Sequence, residues 1–348
     1  MEFYSLVVAG HLSFYDLRFR ERSSEGYTPT RGESTPSMPN NHESVARICS
    51  EKGRGGKWER RTFRALLSYC GASFFGWQRQ PGLLTVQGVL EKALGRFVDG
   101  KRARALSEEG KDPEANISVA GRTDKGVHAV GQVCSFYTWM RDIQPWEIEV
   151  AINAIEPHKL RALHVEEVCR TFHPNFSAKW RRYVYLLPLS DDEAEDYITG
   201  DDGVLAEEKK INVERANRML CKLEGHNLSY AVFARDTQSS RSRGTATMCT
   251  IFHARANVAE LPLLKQNRTK RAHVVCVEIV ADRFLRKMVR VLVATAIREA
   301  AAGAADTALI MMTQSTCRRD SAPPAPALGL CLAEVGYEDM KEAQFLIH

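Results

Sequence analysis

One decapeptide limits what this chain can fold into: Ala120-Gly121-Arg122-Thr123-Asp124-Lys125-Gly126-Val127-His128-Ala129, which runs directly into an alternating apolar segment at 130–137. Asp followed by Lys-Gly is turn chemistry, with the glycine free to take a positive φ. Alternation with period two is strand chemistry. A tight turn at the mouth of a strand therefore presents Asp124 from a rigid sheet. A purely structural turn would use the same residues, but Arg122 stands two positions before the carboxylate, and a nearby guanidinium favours the charged form of an acid. The glycines also let a bulky ligand approach the backbone. An ionised, oriented carboxylate suits a nucleophile or a base.

Strand-like and helix-like segments alternate on both sides of this turn, which gives an α/β (α+β) class in two halves. In the first half, residues 63–69 read as a strand, followed by a glycine-punctuated loop at 70–81 that contains Trp77, Gln78 and Arg79. Thr85 caps a helix whose Val86, Val89, Leu90, Ala93, Leu94 and Phe97 form an apolar stripe. Residues 100–116 read as a basic, irregular stretch. Pro145 opens a helix and 162–169 a strand.

In the second half, a strand through Trp180-Arg181-Arg182-Tyr183-Val184-Tyr185 puts Tyr183 and Tyr185 on one face and Arg182 and Val184 on the other. Aromatic rings beside Lys179, Arg181 and Arg182 suit an unpaired base and its phosphates, and a strand with core tyrosines is the plainer alternative. An acidic loop at 191–202 carries no assigned chemistry. Asn212 caps a helix that Gly225 ends, and 235–243 is a basic loop. After a strand at 273–280, Leu285, Met288, Val289, Leu292 and Ala296 form a buried helical face, with Arg283, Arg286, Lys287 and Arg290 recurring on another. A proline-rich loop from Ala322 feeds the last strand. Residues 1–61, rich in Ser, Pro, Gly and mixed charge from Arg18 onward, read as a disordered extension, 62–170 as an N-terminal lobe with the Asp124 loop, and 171–340 as a C-terminal lobe. The cluster Lys52, Arg54, Lys57, Arg60 and Arg61 suits either an RNA contact or a solvated linker.

Composition narrows the partners. A chain of 348 residues with 44% hydrophobic content can bury a substantial core. Its net charge of +5 permits a polyanion without demanding one. Nine cysteines show no spacing of ligand type, so neither zinc nor a disulfide framework is expected and reduced thiols in an intracellular compartment fit. No apolar run is long enough for a membrane span, and the first residues lack the basic start of a secretory signal.

Taken together, the motifs carry a resemblance. G-R-T-D-x-G-V-H-A resembles the active-site signature of the TruA family of tRNA pseudouridine synthases, and the elements G-W-Q-x-Q from Gly76, S-A-x-x-R-x-Y-x-Y from Ser177, F-L-x-x-M-V-R from Phe284 and A-P-x-x-G-L from Ala325 follow in the family's order. The likeness spans residues 62–337. It implies the two-lobed pseudouridine synthase fold, with mixed antiparallel sheets flanked by helices around a central RNA-binding cleft. It implies Asp124 as the catalytic residue, Arg290 as its partner from the other lobe and Tyr183 as the ring that stacks on the target uracil. Candidate RNA contacts flank these: Arg122, Lys125 and His128 in the signature, Trp77, Gln78 and Arg79 before it, and Lys179, Arg182 and Arg286 in the second half. Cys70 stands where the family carries an aspartate. Lys125 and the Tyr-Val-Tyr-Leu-Leu-Pro run resemble the eukaryotic branch more than the bacterial one.

The implied reaction breaks the bond from N1 of uracil to C1′ of ribose, turns the base and rejoins it through C5. Atoms and electrons balance within the nucleotide, so the expectation is no cofactor and no metal. Attack of the carboxylate on C1′ and removal of the C2′ proton both remain open. A nucleosidase or RNA glycosylase could use the same carboxylate, although glycoside hydrolysis generally takes two and no second acid falls in any motif. A noncatalytic RNA-binding relative is the other alternative. The expected partner is tRNA, with no membrane. Bacterial family members are homodimers and some eukaryotic ones monomers, so a homodimer is compatible, and nucleus, cytoplasm and organelle all stay open.

Overall fold

The computed structural model describes residues 2–19, 60–98, 100–110, 114–189, 211–235, 245–262, 272–315, 317–340 and 345–348. Its strands are β1 (Arg18–Phe19), β2 (Arg61–Tyr69), β3 (Ile117–Val119), β4 (His128–Thr138), β5 (Leu160–Val168), β6 (Trp180–Pro188), β7 (Asn227–Ser229), β8 (Met248–Glu260), β9 (His273–Ala281) and β10 (Leu330–Gly336). They form a 10-stranded sheet in the order β1-β8-β9-β6-β10-β4-β2-β5, with β3 on β4 and β7 on β8. The two halves of the chain thus share one continuous sheet, where the sequence suggested separate sheets meeting at a cleft.

The seam positions the site. β10 pairs in parallel with β4, Cys331 opposite His128 and Leu332 opposite Ala129. On its other edge β10 runs antiparallel to β6, with Leu332 opposite Tyr183. The last strand of the chain therefore lies between the strand that leaves the Asp124 turn and the strand that carries Tyr183. A loop ending at one and a ring standing on the other are brought level across a single intervening strand.

One face of the sheet packs on helices Val86–Ala93, Pro145–Ile155, Val213–Cys221 and Met288–Ala301, burying Leu90, Ile148, Ile152, Met219 and Leu292 together with Tyr183 and Tyr185. Local chemistry sets where these helices begin. Thr85 Oγ1 accepts from Gly88 N–H, and Asn212 Oδ1 accepts from Arg215 N–H, each satisfying a first-turn amide that has no intrahelical partner. Pro145 opens its helix as expected.

The other face is covered by the chain ends. Phe3, Tyr4, Val7, Phe14 and Leu17 pack with Val184, Leu186, Val274, Cys276, Cys331, Leu346 and Ile347 in a second apolar cluster. Residues 2–19 therefore correct the reading of a disordered extension: they form helix Glu2–Ala9 and a short strand on β8. Phe3, Tyr4, Val7 and Val8 carry a helical apolar stripe that the polar composition beyond Arg18 masks. Residues 20–59, the acidic loop 191–202 and residues 236–243 of the basic loop lie outside the described residues.

Two further readings change. Gly100–Glu108 is a helix rather than irregular. Arg283, Arg286 and Lys287 precede helix Met288–Ala301 instead of lying on it. Lys287 sits in the left-handed region at φ 61, and Met288 N–H closes a turn on Leu285 O at 3.0 Å. A turn of that kind brings residues three apart together, which is why the spacing imitates a helix.

Candidate active site

Asp124 occupies a turn closed by Val127 N–H on Asp124 O at 3.1 Å. Gly126 takes φ +86, a conformation that a side chain strains, and a Cβ there would come within 3.2 Å of Ala327 Cβ, a tight contact. Gly76, at φ +90, lets its own loop lie against the backbone of Thr123 to Lys125. Trp77 N–H then donates to Thr123 O at 3.0 Å. The Thr123 side chain is anchored as well. Gln132 Nε2 donates to Tyr69 Oη at 3.2 Å and to Gly121 O at 2.7 Å, and Tyr69 Oη meets Thr123 Oγ1 at 2.8 Å. The turn is held at both ends, and the Asp124 side chain, 29% exposed, remains within reach of a ligand.

Its guanidinium partner comes from the first turn of helix Met288–Ala301. Arg290 Nη1 approaches Asp124 Oδ2 at 3.5 Å, and Arg286 Nε lies 4.0 Å from Asp124 Oδ1. Arg290 is fixed from behind. Its Nε donates to Ala325 O at 2.6 Å, and Ala325 N–H donates back to Arg290 O at 3.1 Å. Tyr183 is 9% exposed and stands edge-on to Phe284 at 5.0 Å. Burial pushes its phenol up to about 12, so the ring offers a neutral face and a hydroxyl that keeps its proton. Tyr185 Oη donates to Pro326 O at 3.0 Å, steadying the same segment that supports Arg290.

Arg181 ties the halves together: its Nη2 donates to Ala120 O at 3.0 Å and to Asn175 Oδ1 at 2.7 Å, and its Nη1 to Asp282 O at 2.8 Å. It spans the start of the Asp124 signature and the start of the Arg286 turn. Arg181, grouped in the sequence with cations suited to phosphates, is buried and acts as a positioning residue, as do Tyr69 and Gln132, to which sequence reasoning assigned no role. A polar Gln132 inside an apolar alternation was the available signal.

The remaining candidates divide by exposure. Arg122, Lys125, Gln78, Arg79, Lys179 and Arg286 are exposed or half-exposed. Lys125 Nζ lies 4.0 Å from the centre of the Phe75 ring, Arg79 pairs with Glu91 and Glu114, and Lys179 pairs with Asp339 at 2.8 Å. Trp77, His128 and Arg182 are not surface groups. Trp77 is 1% exposed beside Tyr69, and its ring is a core anchor. His128 is fully buried and accepts from Gly71 N–H through Nδ1 at 3.3 Å. Burial pushes its imidazole down to about 4. Arg182, 3% exposed, lies 3.5 Å from Glu278 and 3.4 Å from Glu334 on the opposite face. All three side chains are covered by protein rather than open to a ligand.

Among the described residues no helix is long and apolar enough to cross a membrane, and no group of three or more His, Cys, Asp or Glu side chains is placed to hold a metal ion. What converges is an oriented carboxylate, a guanidinium, a buried aromatic ring and a rim of exposed cations.

A sequence profile of tRNA pseudouridine synthase matches residues 65–177 and 221–338, the segments that supply Asp124, Arg286 and Arg290, with Tyr183 lying between them. A tRNA pseudouridine synthase A of Chlorobaculum tepidum is 32% identical over 279 residues, covering 80% of this chain and 98% of that protein. Proteins of the same name from Pelodictyon phaeoclathratiforme and Borrelia duttonii are each 30% identical, over 80% and 79% of this chain and 100% and 98% of their own lengths. With the profile covering both halves and these relatives aligned over nearly their whole length, the chain belongs to the tRNA pseudouridine synthase family.

Proposed function

We propose that this enzyme isomerises uridines of tRNA with Asp124 as the catalytic carboxylate, Arg290 as the group that orients it and Tyr183 as the ring against which the target uracil stacks. The observation that carries the reading is the meeting of Asp124 and Arg290 at 3.5 Å from positions 166 residues apart in the chain. A charge pair assembled across the seam between the halves, and left partly open, suits a group that must meet a substrate.

The steps follow from these groups. The uridine leaves its stack at a cost of a few kcal/mol, offset by stacking on Tyr183 and by phosphate contacts. Asp124 then attacks C1′ or removes the C2′ proton, the bond to N1 breaks, the base turns, C5 bonds to C1′ as the Asp124 ester breaks or the C2′ proton returns, and the C5 proton is lost as N1 gains one. Arg290 holds the carboxylate in one orientation throughout, which is where placement contributes to rate. The exposed Arg122, Lys125, Arg79, Lys179 and Arg286, with Gln78, form the surface proposed for the tRNA backbone. The finer parts of the proposal are a homodimer, favoured by the exposed apolar groove of Met140, Trp146 and Val150, and an intracellular location. Sedimentation of the purified chain and fractionation of cells expressing it test these two.

The central test is pseudouridine mapping on unmodified tRNA transcripts with wild type and Asp124→Asn, each checked for tRNA affinity. The reading expects wild type to convert a uridine and the variant to bind without converting. Conversion by the variant at the wild-type rate would sink it.

A further inference from the structure

Residues 2–19 precede the family-matched region, which begins at residue 65, yet they pack directly beneath the site. Val8 O and Ala9 O, at the end of helix Glu2–Ala9, accept from Ser68 Oγ at 3.4 Å and from Arg161 Nη1 at 2.8 Å, on β2 and β5. Arg182 Nη1 donates to Tyr15 Oη at 3.3 Å, and Arg18 and Phe19 extend the sheet beside β8.

Tyr4 is the point of closest connection to the chemistry. Its ring stacks on His128, with centroids 4.5 Å apart and planes 14° from parallel, and its hydroxyl donates to Gly329 O at 2.5 Å. These partners end the pieces of chain that carry the catalytic pair. His128 follows the turn that presents Asp124 and accepts Gly71 N–H at its ring edge. Gly329 ends the segment whose Ala325 O holds Arg290 and whose Ala327 lies against Gly126. One side chain therefore grips the Asp124 turn through its stack and the Arg290 support through its hydrogen bond. Burial pushes the Tyr4 phenol well above its usual value, which keeps its proton available to Gly329 O.

We propose that Tyr4 is a positioning residue that sets the Asp124–Arg290 geometry from behind the sheet, while the other apolar residues of the N-terminal segment serve as a cover for the core. The inference rests on Asp124 being the catalytic carboxylate. Ordinary core packing predicts that loss of Tyr4 weakens folding alone. Positioning predicts a loss of rate in folded protein, because a displacement of a fraction of an ångström at a reacting group is felt in kcat more than in binding.

The experiment measures single-turnover conversion and tRNA affinity for wild type, Tyr4→Phe, Tyr4→Leu, Val7→Ala and Asp124→Asn, at a temperature where each is folded. Tyr4→Phe keeps the stack and removes the donor, and Tyr4→Leu removes both. Rate losses of about tenfold and about a hundredfold are expected, with affinity within about twofold of wild type. Val7→Ala, from the same helix and the same apolar cluster, should lose stability and keep its rate. Wild-type rates in both Tyr4 variants beside an inactive Asp124→Asn would overturn the Tyr4 proposal alone. An active Asp124→Asn would overturn the catalytic reading and this proposal with it. If Tyr4→Leu does not fold, Tyr4→Phe decides, and a wild-type rate there rejects the proposal.

Discussion

Two arginine–carboxylate pairs in this molecule have the same separation and opposite circumstances. Arg290 lies 3.5 Å from Asp124, and on the other face of the sheet Arg182 lies 3.5 Å from Glu278. Glu278 is fully buried and Arg182 is 3% exposed, whereas Asp124 keeps 29% of its surface. The back pair is enclosed by protein. Glu278 also receives Leu346 N–H at 2.9 Å and Ile347 N–H at 3.0 Å, and His253 Nε2 lies 3.2 Å away. Distance alone therefore does not identify a reactive pair. What distinguishes the front pair is the carboxylate surface still open to a ligand, and the chain ends create the difference by closing one face only.

The same isosteric change at each carboxylate separates the roles. Asp124→Asn should lower single-turnover conversion about a thousandfold or more with tRNA affinity little changed. Glu278→Gln should leave conversion within about threefold and lower stability by about 3 kcal/mol, because it leaves a buried guanidinium short of its partner. A urea midpoint unchanged in Glu278→Gln would show that the back network contributes no stability. Arg290→Met, next in size, should cost about a hundredfold in rate, as expected for a charged group that orients or stabilises a reacting centre. A rate unaffected by that change would reduce the front pair to a structural contact.

A pH titration tests the buried histidine. His128 titrates near 6.5 when unfolded and is held down to about 4 by burial. Between those values the unfolded chain binds a proton that the native state refuses, so stability falls as pH drops from about 6.5 towards 4, by on the order of 3 kcal/mol. His128→Gln should flatten that part of the profile. Equal slopes for the two proteins across this window would mean that the imidazole is not buried neutral.

Much of the front face was legible in the residues. The Asp124 turn announces itself through glycines and a following strand, Tyr183 through strand alternation, and the helices after Thr85, Pro145 and Asn212 through their caps. Those signals are local. The fates of Trp77, His128 and Arg182 are not local, because burial of a residue depends on which distant segment covers it. Arg182 is buried by Tyr15, Glu278, Glu334 and a C-terminal segment from the other end of the chain. No spacing within strand β6 carries that information. Alternation did place Arg182 opposite Tyr183, which was half of the answer, but whether the opposite face met solvent or protein depended on the chain ends.

The smallest effect belongs to Lys179, which precedes Arg182 on the way into the same strand and escapes burial. Its pair with Asp339 is open to water, the side chains 52% and 94% exposed. Lys179→Ala should therefore change stability by less than about 0.5 kcal/mol. If the exposed end of this strand takes a tRNA phosphate, the same substitution should weaken tRNA binding about two- to threefold and reduce the slope of log affinity against log salt by about one unit. Arg182→Met should show the inverse pattern, a clear loss of stability with an unchanged salt slope. Should Lys179→Ala leave the slope intact, this end of the strand would have no part in the RNA path, and the phosphate contacts would have to come from Arg122, Lys125 and Arg286 around the carboxylate itself.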